Sequence, residues 1–180
     1  FFFIAQYLQL AAGMGPLALG TDGGGSIRIP ASCCGIVGFK ATLGMVPHLQ
    51  APDLFSANSF TGPMARDIAD VQLLFDVLKG FDPRDPFGLA DMPGSRRPPG
   101  ALRGLRVAWL PTAGNRIDPE VEAITTAAVR AMEREGAIVE PVTLDFVALE
   151  RHFLVVLQSM LAGRVGANLE GCGDRLEASL

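Results

Sequence analysis

The sequence predicts an α/β layer architecture. Short apolar runs alternate with stretches of helical periodicity in the order strand, helix, strand, helix, which argues for parallel strand pairs covered by helices. Hydrophobic residues make up 49% of the 180, enough to fill a sizeable core within one domain covering residues 1–180. Glycine and proline clusters mark the joins.

Residues 5–12 suit a helix, which Gly13 and Gly15 end and Pro16 keeps from continuing. Residues 17–19 read as a short buried strand. Four glycines in the six positions 20–25 are too many for a regular element and suit a backbone that turns tightly or approaches something closely. Further strands are expected at 37–40 and 58–61. Asp67 caps a helix whose face is Ile68, Val71, Leu74, Phe75 and Leu78, closed by Gly80. Residues 81–104, rich in Pro, Gly and charge, read as an exposed connector. Residues 105–110 form a strand. Asp118, Pro119 and Glu120 then start a helix with the face Val121, Ile124, Ala128 and Met132, which Gly136 stops. A strand at 137–142 and a helix from 145 to 161 follow. There is no internal repeat.

The net charge of −4 and a lysine content of two, Lys40 and Lys79, provide no basic field for a phosphate backbone, so no nucleic-acid partner is expected. Cys33, Cys34 and Cys172 show neither metal-ligand spacing nor a secreted framework, and are read as reduced and buried in a cytoplasmic protein. The uncharged residues 1–12 lack the cationic start of a signal peptide and are too short to span a bilayer, so a buried helix and no membrane association are expected. The chain opens without Met and ends inside a helical stretch, as a fragment truncated at both ends would. His48 and His152 lie far apart in sequence with no ligand spacing beside them; neither metal nor cofactor is implied.

The stretch from Gly20 to Ala31, GTDGGGSIRIPA, carries the chemistry. A serine directly after three glycines sits where main-chain N–H groups can face a small anionic centre with no side chain in the way. Acyl transfer needs that arrangement, because the nucleophile attacks a carbonyl while N–H donors receive the charge developing on its oxygen. A phosphate loop would need lysine before its serine or threonine, a dinucleotide fingerprint is spoiled by Pro16, and a G-x-S-x-G elbow is excluded by Arg28. On composition, a tight structural turn whose serine caps a helix remains the competing account.

Residues 13–46, GMGPLALGTDGGGSIRIPASCCGIVGFKATLGMV, resemble the signature of the amidase family, and 58–70, NSFTGPMARDIAD, resemble its following G-P-M-x-R segment. Residues 102–142 are similar, more weakly, to a later strand-helix-strand. The resemblance implies a partial amidase-signature fold, a mixed β-sheet flanked by helices. It also implies a small-molecule amide substrate, attacked by a serine with help from a second serine in a cis peptide and a proton-relaying lysine. Carried over, Ser26 is the nucleophile, and the amides of Gly23, Gly24, Gly25 and Ser26 form the oxyanion hole. Thr21 would support the bridging serine, and Asp22 and Arg28 would brace the loop as an ion pair. Ala41 and Met45 depart from the family's proline and arginine.

The family's lysine would lie upstream of Phe1 and its bridging serine near Phe2, where FFFIA has neither serine nor glycine, so the isolated chain is expected to be inactive. Lys40 matches a structural lysine, and His48 and His152 suggest no Ser-His-Asp arrangement. Two other functions compete: the glutaminase subunit of a tRNA-dependent amidotransferase, against which Ile29 and FDPRDP speak, and a non-catalytic remnant or binding module. The acyl group accepted and the oligomeric state leave no mark in the sequence.

Overall fold

The computed structural model describes residues 2–49, 59–89 and 102–166. The chain divides into two compact units, Phe1–Pro93 and Gly94–Leu180, where the sequence suggested one domain; the division falls inside the expected connector. Cys172 and half of that connector, residues 90–101, lie outside the described residues.

In the first unit, helix α1 (Phe2–Ala11) ends at Gly13, whose φ of +73° turns the chain away. Helix α1 is amphipathic and not wholly buried as expected: Tyr7 and Leu10 enter a core with Ile27 and Met64, while Leu8 faces solvent. Strand β1 (Leu17–Asp22) leads to helix α2 (Arg28–Cys34) and the two-residue strand β2 (Val37–Gly38). Strand β3 (Phe60–Ala65) starts and ends later than the sequence suggested.

The sheet order is β1-β3-β2, with register Leu17↔Ala65 through Asp22↔Phe60 on one side of β3 and Val37↔Ala65 on the other. This corrects the expected parallel pairing. The strand-helix-strand unit exists and β1 and β2 run the same way, but β3 inserts between them and pairs antiparallel with both. Strand β1 alternates, with Leu17 and Leu19 exposed and Gly20 and Asp22 buried, so it has a solvent face rather than being wholly buried.

The G-P-M-x-R segment has a packing reason at each position. A Cβ on Gly62 would stand 2.1 Å from the Phe39 carbonyl oxygen, Pro63 accepts from the Phe39 N–H at 3.0 Å, and Met64 is fully buried. Arg66 Nη1 donates to the carbonyls of Leu10 (3.1 Å) and Gly15 (2.7 Å), tying the end of α1 to the sheet. Helix α3 (Ile68–Leu78) is capped by Asp67, which accepts from the Asp70 N–H at 2.8 Å, and it buries Val71 and half-buries Leu74, Phe75 and Leu78. Ile68, predicted on that face, is exposed. Within residues 81–89, Phe81, Pro83, Arg84, Pro86 and Leu89 are exposed as expected of a connector, and the exception is Asp85. Asp85 is buried and accepts from the N–H groups of His48 (3.0 Å) and Phe87 (2.9 Å).

In the second unit, β4 (Arg106–Trp109), α4 (Pro119–Arg134) and β5 (Ile138–Pro141) form the expected unit with parallel strands, register Arg106↔Ile138 to Trp109↔Pro141. Asp118 caps α4 through the Glu120 N–H at 2.8 Å, with Pro119 in the first turn. The predicted α4 face is only partly covered: Val121, Ile124 and Ala128 are exposed and Met132 is half-buried. A 3-10 turn (Val147–Leu149) leads into α5 (Glu150–Val165). Among the described residues no helix is long and apolar enough to cross a membrane.

Candidate active site

Strand β1 ends at Asp22 and α2 begins at Arg28, so residues 23–27 make the whole turn between an ordered strand and an ordered helix. Asp22 is fully buried beneath that turn, and its carboxylate organises it. Oδ1 accepts from the Gly25 N–H at 2.7 Å and from Arg28 Nη2 at 3.0 Å; Oδ2 accepts from Arg28 Nε at 2.9 Å and from the Ile27 N–H at 3.3 Å. Burial by itself pushes the Asp22 pKa up, but the Arg28 bonds and charge, with the two amides, outweigh it and hold the value at about 2. Arg28 is pushed up in turn, chiefly by its hydrogen bond to Asp22. Gly25 needs its missing side chain: φ is +108°, and a Cβ would stand 2.6 Å from Ile29 Cδ1.

Ser26 is exposed at the apex. Its hydroxyl has no hydrogen-bond partner among the described residues. The α2 N-cap is Ile27, with no side-chain capping bond, so the account in which Ser26 serves as a helix cap does not hold. The N–H groups of Gly23, Gly24 and Ser26 likewise donate to no group among the described residues. Gly25 differs from the expectation. Its N–H is committed to Asp22, so it supplies the turn's backbone conformation, and three of the four expected amides, rather than all four, donate to no group among the described residues.

Thr21 lies opposite Thr61 in the β1–β3 register and borders an open cavity of about 360 Å³ shared with Gly20, His48 and Thr61. Both His48 ring nitrogens are engaged, Nε2 with Ser59 Oγ at 2.9 Å and Nδ1 with Thr61 Oγ1 at 3.2 Å. Lys40 sits 3.6 Å from the centre of the Phe60 ring and donates to the Ala41 carbonyl at 3.2 Å, a structural placement. His152 is exposed on α5. Cys33, expected to be buried, is exposed, and Cys34 is half-buried; both are free thiols. Among the described residues no cluster of His, Cys, Asp and Glu could hold a metal ion.

Sequence reading missed Tyr7. This fully buried side chain on α1 donates its phenol proton to the Ser26 carbonyl oxygen. The available signal was Pro30, four residues after Ser26, which has no N–H to give that carbonyl.

The turn, its buried acid and the sheet flanked by helices define a chain of the amidase-signature class, although the three-stranded sheet is wholly antiparallel rather than mixed. Comparison with known proteins agrees. The amidase family model matches residues 9–170, and the chain belongs to that family. It is 41% identical over 137 residues to an acylamidase of Rhodococcus erythropolis, covering 74% of this chain and 29% of that protein. It is 42% identical over 137 residues to a glutamyl-tRNA(Gln) amidotransferase subunit of Methanothermobacter thermautotrophicus, covering 76% of this chain and 30% of that one. The crystal structure of a bacterial aryl acylamidase of the amidase signature family superposes with a TM-score of 0.72 at 28% identity, over 92% of this chain and 36% of that chain. The chain thus spans less than a third of the length of the curated relatives it matches.

Proposed function

We propose that this chain carries the nucleophile of an enzyme that hydrolyses linear carboxylic acid amides. Ser26 attacks the amide carbonyl, and the N–H groups of Gly23, Gly24 and Ser26 receive the negative charge that develops on its oxygen. The observation that carries this reading is one exposed serine hydroxyl beside three amides that no protein group occupies among the described residues. Asp22 and Arg28 hold the loop, and Thr21 supports the bridging serine. The free thiols of Cys33 and Cys34 fit a cytoplasmic location.

Serine needs a base to become a competent nucleophile, and the Ser26 hydroxyl meets none among the described residues. The isolated chain is therefore expected not to turn over amides, and the intact enzyme to do so. Incubation of the intact enzyme with a phosphonofluoridate, followed by peptide mass spectrometry, should find one adduct, on Ser26, and none in Ser26→Ala. An adduct elsewhere refutes Ser26 as nucleophile. Turnover of a simple anilide that disappears in Ser26→Ala shows that the chain contains its own base.

The 42% identity to one subunit of an amidotransferase favours a second reading, a glutaminase that works with partner subunits. Ammonia release from glutamine, set against release of an aryl amine from an anilide, separates the two.

A further inference from the structure

The carbonyls at the start of α2 follow helical order with one gap. Gly25 O accepts from the Ile29 N–H at 2.8 Å and Ile27 O accepts from the Ala31 N–H at 3.2 Å, each four residues on. Between them Ser26 O would accept from residue 30, which is proline and has no N–H. The Tyr7 hydroxyl fills the gap from another helix. Gly20 leaves it room, since a Cβ there would stand 3.2 Å from the phenol oxygen. A buried tyrosine hydroxyl needs a partner as much as the orphaned carbonyl does.

We infer that Tyr7 is a positioning residue for the nucleophile, fixing the Ser26–Ile27 peptide plane and with it the direction in which the Ser26 side chain leaves the backbone. This inference rests on the reading of Ser26 as nucleophile. In a trans peptide the C=O and N–H point opposite ways, so a plane held at both ends cannot rotate. The Ser26–Ile27 plane is held at oxygen by Tyr7 and at nitrogen by Asp22 Oδ2. The preceding plane is held at Gly25 O by Ile29, which sends the Ser26 N–H the other way, out of the helix and toward the open side of the turn. The two planes set φ and ψ of Ser26, and therefore the origin of its hydroxyl. Without Tyr7 the second plane keeps one contact, at 3.3 Å. Burial, with the Asp22 charge adding to it, raises the Tyr7 pKa, so the phenol keeps the proton it donates.

Two features of the sequence make the test specific. Tyr7 is the chain's one tyrosine, and Ser26–Ile27 is its one Ser–Ile step. Carbonyl-13C serine with 15N isoleucine therefore yields a single cross-peak that reports the Ser26 carbonyl and the Ile27 amide together. In Tyr7→Phe the carbonyl signal should move upfield, as for a lost hydrogen bond, and in the intact enzyme the same substitution should lower the rate of Ser26 labelling by a phosphonofluoridate on the order of tenfold. Should Tyr7→Phe fail to fold, growth on 3-fluorotyrosine alters Tyr7 alone, keeps ring and hydroxyl, makes a stronger donor, and should move the same signal downfield. An unmoved signal overturns the clamp. A moved signal with an unchanged labelling rate in a folded Tyr7→Phe overturns the positioning role. If the unaltered intact enzyme is not labelled at Ser26 at all, the nucleophile reading fails, and the positioning role that rests on it falls with it. The cross-peak then reports only whether Tyr7 holds the carbonyl.

Discussion

Asp22→Asn separates the loop's architecture from its chemistry. The native carboxylate accepts four hydrogen bonds, two from Arg28 and one each from the Gly25 and Ile27 amides, and is fully buried. Asparagine keeps one oxygen and turns an NH₂ toward groups that are themselves donors. Hydrogen bonds to charged groups contribute about 1.5–3 kcal/mol each, but the Arg28 side chain is 55% exposed and water recovers much of its share. The expected net loss is about 3 kcal/mol, close to that for breaking a buried pair. Urea unfolding followed by circular dichroism at pH 7 measures it. The loss should shrink with acid. The folded pKa of Asp22 is about 2, below its ordinary 3.8, so its stabilisation is fully present above about pH 4 and is lost as pH falls toward 2. That component is worth about 2 kcal/mol. The native chain should therefore lose this amount between pH 5 and 2 relative to Asp22→Asn, narrowing the gap between them. A loss under about 1 kcal/mol at pH 7, or a gap that does not narrow in acid, would refute the account of Asp22 as the loop's organiser.

Gly62→Ala should destabilise by about 1–3 kcal/mol, since its Cβ would meet the Phe39 carbonyl oxygen at 2.1 Å and push β3 away from the segment after β2; a lowered thermal midpoint shows it. Asp118→Ala should cost about 1 kcal/mol and Asp118→Gly only a few tenths, an order that identifies the lost N-cap in urea unfolding.

Local signals were legible where the physics is local. Asp67 and Asp118 cap the helices they were expected to cap, because a side-chain oxygen bonding an amide two or three residues on needs nothing from elsewhere in the chain. Pairing was not legible. The run β1, α2, β2 reads as a parallel unit, and no residue within it announces that β3, more than twenty residues later, will insert between the strands. Periodicity showed which side of α4 is apolar, and Val121 and Ile124 lie on it, but a stripe carries no information about what covers it. Asp85, inside a stretch whose composition suggests an exposed connector, is buried because its carboxylate takes up the His48 and Phe87 amides, a partnership spread over 37 residues. At the site, the glycines and Ser26 could be picked out as a group, whereas the commitment of the Gly25 amide to Asp22 and the approach of Tyr7 depend on coordinates.

The acid and base of the loop then have one consistent role in the proposed chemistry. A carboxylate near a developing oxyanion opposes it, by about 2–4 kcal/mol at separations of about 4–8 Å and an effective dielectric near 20. A bare Asp22 under the turn would thus cancel much of what three amides contribute. Arg28, held to it by two hydrogen bonds, makes the pair neutral and leaves the amide dipoles to dominate the field above the loop. The same contacts that hold the Asp22 pKa at about 2 make it far too weak a base to take the Ser26 proton near pH 7. An acid four residues before a serine invites assignment as its proton acceptor, and its occupied oxygens and low pKa exclude that. The base for Ser26 has to be sought in some other group.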